Sequence, residues 1–180
     1  MKFLLDACVL YPTVMREVLL GVAKAGAFTP LWSDRILEEW ALAARKLGPE
    51  GEMQARSEIA LISSRWPNAS VKAHQGLEDR LWLPDPSDVH VLAAAISGSA
   101  DGIITLNAKD FPRNILAEEG LSRVDADGFL LGLYEANPEL VFEATEAVRQ
   151  EAERLSGQPW EMRKLMKKAR LPRLGKALTR

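Results

Sequence analysis

The sequence is poor in the features that mark secreted, membrane-spanning and disulfide-stabilised proteins. Its 180 residues include a single cysteine, Cys8, so no internal disulfide can form and a reducing compartment is expected. No secretory leader is recognisable, and no apolar run approaches the length of a membrane span. Internal repeats and low-complexity segments are also absent. We therefore expect a soluble, cytoplasmic protein without a membrane partner, in which Cys8 is a small core residue and not a nucleophile.

Charge is distributed unevenly along the chain, although its net value is only −2. The stretch from Arg154 to Arg180 holds nine basic residues and one acidic residue, against 14 basic and 24 acidic residues before it. We predict a main domain over residues 1–137 and a helical C-terminal extension with a basic tail over residues 138–180. Two interpretations of the tail stay open, namely binding of nucleic acid or a partner, and docking of an amphipathic helix on the acidic body.

Apolar runs and turn residues predict strands and helices in alternation. The expected strands cover residues 3–5 with a continuation towards residue 10, then 28–32, 69–72 (weak), 102–106 and 122–124. The expected helices begin near Pro12, Ser33, Gly51, Asp85, Phe129 and Pro138. This order is typical of an α/β fold with three layers (α/β/α) and a mostly parallel sheet of about five strands.

The stretch LPDPSDVHVLAAAI, Leu83 to Ile96, joins acidic residues to a buried helix. Asp85 is a good N-cap, Pro86 suits the first helical position, and Asp88 follows three residues after the cap. Either aspartate alone is explained by ordinary capping. The helix from Val91 onward is apolar on every side, however, so its first turn is carried inward. Asp88 is then expected at the rim of the core, where a carboxylate needs a partner, a proton or a metal.

Further acidic residues occur where predicted strands end. Asp6 follows the first strand, Asp110 follows the strand at 102–106, and Glu39 or its neighbour Glu38 lies on a packed helix. In open α/β sheets ligands gather at the carboxyl ends of strands. Several carboxylates in one crevice are tolerated when they share protons or bind hard cations such as Mg²⁺ or Mn²⁺. Because such ions polarise phosphodiesters and activate water, the pattern favours hydrolysis of a phosphate ester.

Four motifs, FLLDACVLYP, PLWSDRILEEW, LPDPSDVHVLAAAI and GIITLNAKDFP, together resemble the PIN-domain ribonucleases, and most closely the branch that includes VapC-type toxins. The resemblance covers about residues 2–135. It implies a five-stranded parallel sheet with helices on both sides, and carboxylates that bind one or two Mg²⁺ or Mn²⁺ ions for cutting RNA. It also implies a homodimer and a cognate antitoxin that blocks the acidic crevice.

The motif match implies roles for individual residues. The catalytic, metal-binding acids are Asp6, Glu39, Asp88 and Asp110. The supporting residues are Thr105, Asn107, Asp85 and Arg16, the last followed by Glu17 where this branch commonly has Asp. The RNA target is not predicted; Lys109, Arg113 and the tail are candidates for holding flanking phosphates.

Three other functions are compatible with parts of the sequence. A haloacid-dehalogenase-type phosphatase needs an acid two residues after Asp6, where this chain has Cys8. A receiver-type phosphoacceptor could use Lys109 but lacks the adjacent acid pair near the amino terminus. The main alternative is a non-catalytic PIN-fold module that binds RNA or protein. The presence of all four acids favours a metal-dependent endoribonuclease, the toxin of a type II toxin–antitoxin system.

Overall fold

The computed structural model describes all residues, 1–180, and shows an α/β protein. Its strands are β1 (Lys2–Leu5), β2 (Thr29–Leu31), β3 (Gly102–Ile104) and β4 (Ser122–Val124). Its helices are α1 (Ala7–Leu10), α2 (Thr13–Lys24), α3 (Asp34–Ala43), α4 (Pro49–Arg65), α5 (Leu77–Arg80), α6 (Val89–Ser97), α7 (Arg113–Glu118), α8 (Ala126–Ala136), α9 (Pro138–Ser156), α10 (Met162–Lys168) and α11 (Pro172–Ala177). Two 3₁₀ turns cover Ala44–Leu47 and Pro86–Asp88. None of the helices combines the length and the apolar character needed to cross a bilayer.

The sheet has four strands in the order β2-β1-β3-β4. β1 pairs in parallel with both neighbours, so that Leu4 lies beside Leu31 on one side and Ile103 on the other. The predicted α/β class and parallel sheet are thus confirmed. The predicted count of about five strands was too high, because residues 69–72 form only an isolated bridge between Trp32 and Ser70.

The first predicted strand is shorter than expected. β1 ends at Leu5, and the apolar residues that follow form the one-turn helix α1 instead of a continuation of the strand. Asp6 causes the change, since its side chain accepts a hydrogen bond from the backbone N–H of Ala7 and caps the helix. A short apolar run fits a buried strand and a buried helix equally well, which is why its pattern was misleading.

The acidic segment that precedes α6 also differs in detail from the prediction. Asp85 does act as a cap, but on the 3₁₀ turn that begins with Pro86, and the α-helix starts only at Val89. Nearly every residue of α6 is buried, as its apolar composition predicted. Helix α6 packs against β1 and β3, which brings its N-terminal end to the edge of the sheet where those strands finish.

The remaining predicted helices are present, with shifts of a few residues at their ends, as α2, α3, α4, α8 and α9. Two short helices, α5 and α7, were not predicted. The strand predicted at 102–106 ends at Ile104, so Thr105 and Leu106 lie in the loop that follows it. Gly102, the first residue of this strand, leaves no room for a side chain, since an added Cβ would lie 2.3 Å from Ser122 Oγ and 2.8 Å from Phe3 Cε1.

The chain forms two compact units. The first comprises Met1–Tyr11 and Thr29–Arg123 and contains β1, β2, β3 and helices α1 and α3 to α7. Its interior is built from apolar side chains without solvent exposure on the strands and helices, among them Leu4, Leu5, Ile36, Leu92 and Ile103. All four predicted catalytic acids belong to this unit.

The second unit comprises Pro12–Phe28 and Val124–Arg180 and contains α2 and α8 to α11. Phe28 and Phe129 meet edge to face with ring centroids 5.0 Å apart. Within this unit the basic tail is folded as α10 and α11, and the buried Asp127 on α8 accepts hydrogen bonds from the backbone N–H groups of Arg173 and Leu174. The predicted boundary between residues 137 and 138 stays a prediction.

Candidate metal centre at the ends of β1 and β3

Asp6 is buried directly after β1 and is held by three donors. One carboxylate oxygen accepts from the backbone N–H of Ala7 at 2.7 Å; the other accepts from Thr105 Oγ1 at 2.7 Å and from the thiol of Cys8 at 3.3 Å. Its own N–H donates to the carbonyl of Ile104 at 3.1 Å, which extends the β1–β3 pairing by one residue. The first strand and the strand at 102–106 are neighbours, as predicted, and their pairing places Asp6 beside Thr105.

Three further carboxylates converge at the start of α6. One oxygen each from Asp85, Asp88 and Asp110 lies within 4.8 Å of the others. Asn107 links two of them, because its side-chain amide donates to Asp110 at 2.7 Å and to Asp88 at 3.5 Å. Asp85 was expected only as an auxiliary acid, yet it belongs to this group. The spacing of the three oxygens is compatible with a single cation between them.

Asp88 is the carboxylate with a large pKa shift at this site. Partial burial and the negative charges of Asp6, Asp85, Asp110 and Glu39 raise its pKa to about 6. Burial is also the main cause that raises the pKa of Asp6, with a contribution from Glu39. The predicted acids therefore act on one another electrostatically, although Asp6 and Glu39 lie outside the group of three.

The choice between Glu38 and Glu39 was open from the sequence, and their environments differ. Glu38 is exposed and forms a double hydrogen bond with Arg56, at 2.9 and 2.8 Å. Glu39 is half-buried and its carboxylate lies 2.5 Å from His90 Nε2. Because only Glu39 contributes to the electrostatics of Asp6 and Asp88, it is the glutamate associated with the acidic residues.

His90 had no assigned role in the sequence. It lies on α6, two residues after Asp88, and is buried. Its Nε2 meets Glu39, while Nδ1 is buried without a hydrogen-bond partner. A carboxylate only accepts, so the ring donates from Nε2 and orients Glu39. The sequence did offer one signal for a role of His90, namely a polar ring within a run of apolar residues.

The loop after β3 presents the polar pair Thr105 and Asn107. Thr105 is buried and accepts from the backbone N–H of Asn107 at 3.0 Å while donating to Asp6. Arg123 on β4 holds the far side of this loop, since one guanidinium nitrogen donates to the carbonyls of Ala108 and Phe111 at 2.7 and 2.9 Å. These bonds fix the loop that carries Asn107 and Asp110. No pattern in the sequence pointed to Arg123.

Cys8 belongs to the same network and is only half-buried, contrary to a pure core role. Burial and the negative charge of Asp6 raise the pKa of its thiol to about 12. The thiol therefore stays protonated at neutral pH and donates to Asp6, in agreement with the expectation that it is not a nucleophile.

The remaining candidates are Arg16, Lys109 and Arg113. Arg16 is buried on α2 in the second unit, with its Nε 3.6 Å from Glu17. Lys109 and Arg113 are exposed and form no ion pair. A support role for Arg16 stays a prediction.

A comparison with protein families decides the classification. The model of the PIN domain matches residues 2–109, more than half of the chain. The chain belongs to the PIN-domain family. The matched residues include three of the four predicted acids and end one residue before Asp110. No curated protein and no solved structure matches the chain significantly.

Membership of the PIN family gives the acidic residues a chemical context. PIN domains are generally nucleases and usually use divalent metal ions. The oxygen-only donors of this site, Asp85, Asp88 and Asp110, suit Mg²⁺ or Mn²⁺ better than a soft metal. The family match and the acidic group together support a nuclease-type fold with a possible metal site.

Proposed function

We propose that this chain is a metal-dependent endoribonuclease that hydrolyses phosphodiester bonds of RNA, with Mg²⁺ as the principal ion and Mn²⁺ as a substitute. The observation that carries the proposal is the convergence of Asp85, Asp88 and Asp110 within 4.8 Å. No lysine or arginine pairs with them, and partial burial together with the neighbouring negative charges raises the pKa of Asp88 to about 6. A bound divalent cation would relieve this repulsion, so the residues fit the ion.

In this proposal Asp85, Asp88 and Asp110 hold the ion, and Asp6 and Glu39 complete the negative site. The ion would supply electrostatic stabilisation of the phosphate and a lowered pKa for water. Thr105 and Cys8 hold the carboxylate of Asp6 by hydrogen bonds. Asn107 orients Asp110 through the hydrogen bond that its side-chain amide donates.

The experiment that tests this function is a cleavage assay on total RNA and transfer RNA with Mg²⁺, Mn²⁺ or EDTA. The wild-type protein is compared with Asp6→Asn, a nearly isosteric change that removes the charge. We expect cutting by the wild type that both EDTA and Asp6→Asn abolish. Equal cleavage by the two proteins would reject the site. Binding of RNA by both without any cleavage would instead favour the non-catalytic module.

We further propose a VapC-type toxin role for the nuclease, in the cytoplasm, as a homodimer with a cognate antitoxin. The four motifs of the sequence support this finer assignment. An Arg or Lys of the antitoxin would suit a crevice lined by unpaired carboxylates. Induced expression should arrest growth for the wild type and not for Asp6→Asn, and light scattering should give twice the chain mass of 19.9 kDa. Growth arrest by both proteins would reject a toxin activity based on this site.

A further inference from the structure

We propose that α10 and α11 form a second binding site, which takes the phosphodiester backbone of RNA. The site, called here the basic groove, is a concavity of about 380 Å³ lined by Arg163, Lys167, Pro172, Arg173 and Lys176. It lies wholly within the second unit, whereas the acidic residues belong to the first. The choice of RNA as ligand rests on the proposed nuclease function.

Three of the four cations that line the basic groove lack counter-ions. The structure gives Arg163, Lys167 and Lys176 no carboxylate within 4.0 Å, and no acidic residue lines the concavity. Lys164, which follows Arg163 on α10 and lies outside the groove, does pair with Glu161 at 3.0 Å. Three unpaired cations around one concavity repel each other, and anionic groups between them would remove that repulsion.

The groove is held in shape by contacts beneath it. Arg173 is anchored by Asp125 and Asp127, at 2.6 and 3.1 Å, so it serves mainly as a support. At Gly175 a Cβ would lie 2.7 Å from the Cβ of Met166, so glycine allows α11 to approach α10 closely. Lys167 lies on α10 and Lys176 on α11, so the two closely packed helices contribute cations to the same groove.

The lining favours a nucleic-acid backbone over other anions. It contains no aromatic side chain on which bases could stack, so recognition rests mainly on phosphates. No large exposed apolar residue of the chain lies on α10 or α11, whereas peripheral membrane binding normally inserts such residues. Cations contributed by two helices match a chain of successive phosphates better than one isolated ion.

The test is fluorescence anisotropy with a labelled single-stranded RNA of mixed sequence. The measurement uses the full chain carrying Asp6→Asn, in EDTA, so that no cleavage occurs. Lys167→Glu and Lys176→Glu are each expected to weaken binding by about eightfold at 50 mM salt, with a salt dependence shallower by about 0.7 per lost contact. Lys164→Glu is the matched control, since it makes the same charge change outside the groove and should weaken binding less. Lys167→Arg should retain affinity.

Equal losses for the groove variants and for Lys164→Glu would overturn the proposal, because they would indicate a general charge effect. Unchanged RNA binding in the groove variants would overturn it as well. Binding of a poly-glutamate peptide and of anionic phosphatidylserine vesicles is measured in parallel, and variants that lose affinity for one of these ligands but not for RNA would also overturn the proposal. Circular dichroism confirms that the variants are folded. Since the readout is binding without metal, failure of the nuclease assay and failure of the groove proposal are distinguishable.

Discussion

The acidic site of the first unit and the basic groove of the second are opposite in sign and alike in one respect. In each, several like charges converge without a counter-ion. Charges on the exposed helices behave differently: on α4 Arg56 pairs with Glu38 and Glu52, and on α9 Arg149 pairs with Glu146 and Glu153. Paired surface charges contribute little to stability and need no ligand, whereas convergent unpaired charges are costly unless a ligand neutralises them.

The largest expected effect comes from removing charge at the centre of the acidic site. Asp88→Asn and Asp110→Asn should each lower the rate of RNA cleavage by about a thousandfold, because a lost ligand removes several kcal/mol of transition-state stabilisation. The measurement is the single-turnover rate with saturating Mg²⁺. The control is Asp79→Asn on the exposed helix α5, which should leave the rate unchanged. Asp127→Asn would be a poor control, because Asp127 accepts hydrogen bonds from the start of α11 and its loss could disturb the fold. Rates within a factor of three of the wild type would show that these carboxylates hold no catalytic ion.

A smaller effect should separate the two adjacent glutamates. Glu39→Gln removes a charge that acts on Asp6 and Asp88 and should lower the cleavage rate by about a hundredfold. Glu38→Gln breaks only the exposed pair with Arg56 and should have almost no effect on the same rate. If the two variants had equal rates, the distinction between paired and unpaired acids would lose its functional meaning.

His90 should matter through the position of Glu39. His90→Asn shortens the side chain so that it no longer reaches Glu39, and we expect a loss of about tenfold in both cleavage rate and Mn²⁺ affinity, the latter followed by electron paramagnetic resonance. His90→Gln places an amide nitrogen near the position of Nε2 and should restore most of the affinity. His74→Asn, a loop variant, is the control. Equal Mn²⁺ affinity in the Asn and Gln variants would contradict a positioning role.

The smallest effect is on stability without metal. The pKa of Asp88 is raised from 3.8 to about 6 in the folded state, so its favourable contribution is complete below pH 3.8 and is lost as the pH rises through about 6. Asp88→Asn should therefore raise Tm in EDTA at pH 7.5 by about 3 °C, equivalent to about 1 kcal/mol, a value reduced because the side chain is partly exposed.

The difference in Tm between Asp88→Asn and the wild type should disappear below pH 4, where the wild-type side chain is also neutral. Excess Mg²⁺ should raise the Tm of the wild type and not that of the variant, since ligand binding stabilises the folded state. Calorimetry between pH 3 and 8 measures both. A variant that is less stable than the wild type at pH 7.5 in EDTA would contradict the repulsion inferred at Asp88.

Much of the fold could be predicted because its signals are local. An apolar run followed by Asp6, the apolar helix after Asp88 and the run of alternating strands and helices are visible in neighbouring residues. The errors were local too. The length of a short apolar run did not tell strand from helix at α1, and residues 69–72 lacked enough partners to form a strand.

The sequence by itself determined the α/β class, the buried character of α6 and the identity of the acids that follow the strands, since each depends on composition and spacing within one segment. Only the tertiary structure decided which groups meet. Thr105 contacts Asp6 across 99 positions, His90 selects Glu39 over Glu38 across 51, and Gly175 sets the spacing of the basic groove. Such contacts depend on how distant helices and strands pack, and side-chain periodicity carries no information about that packing.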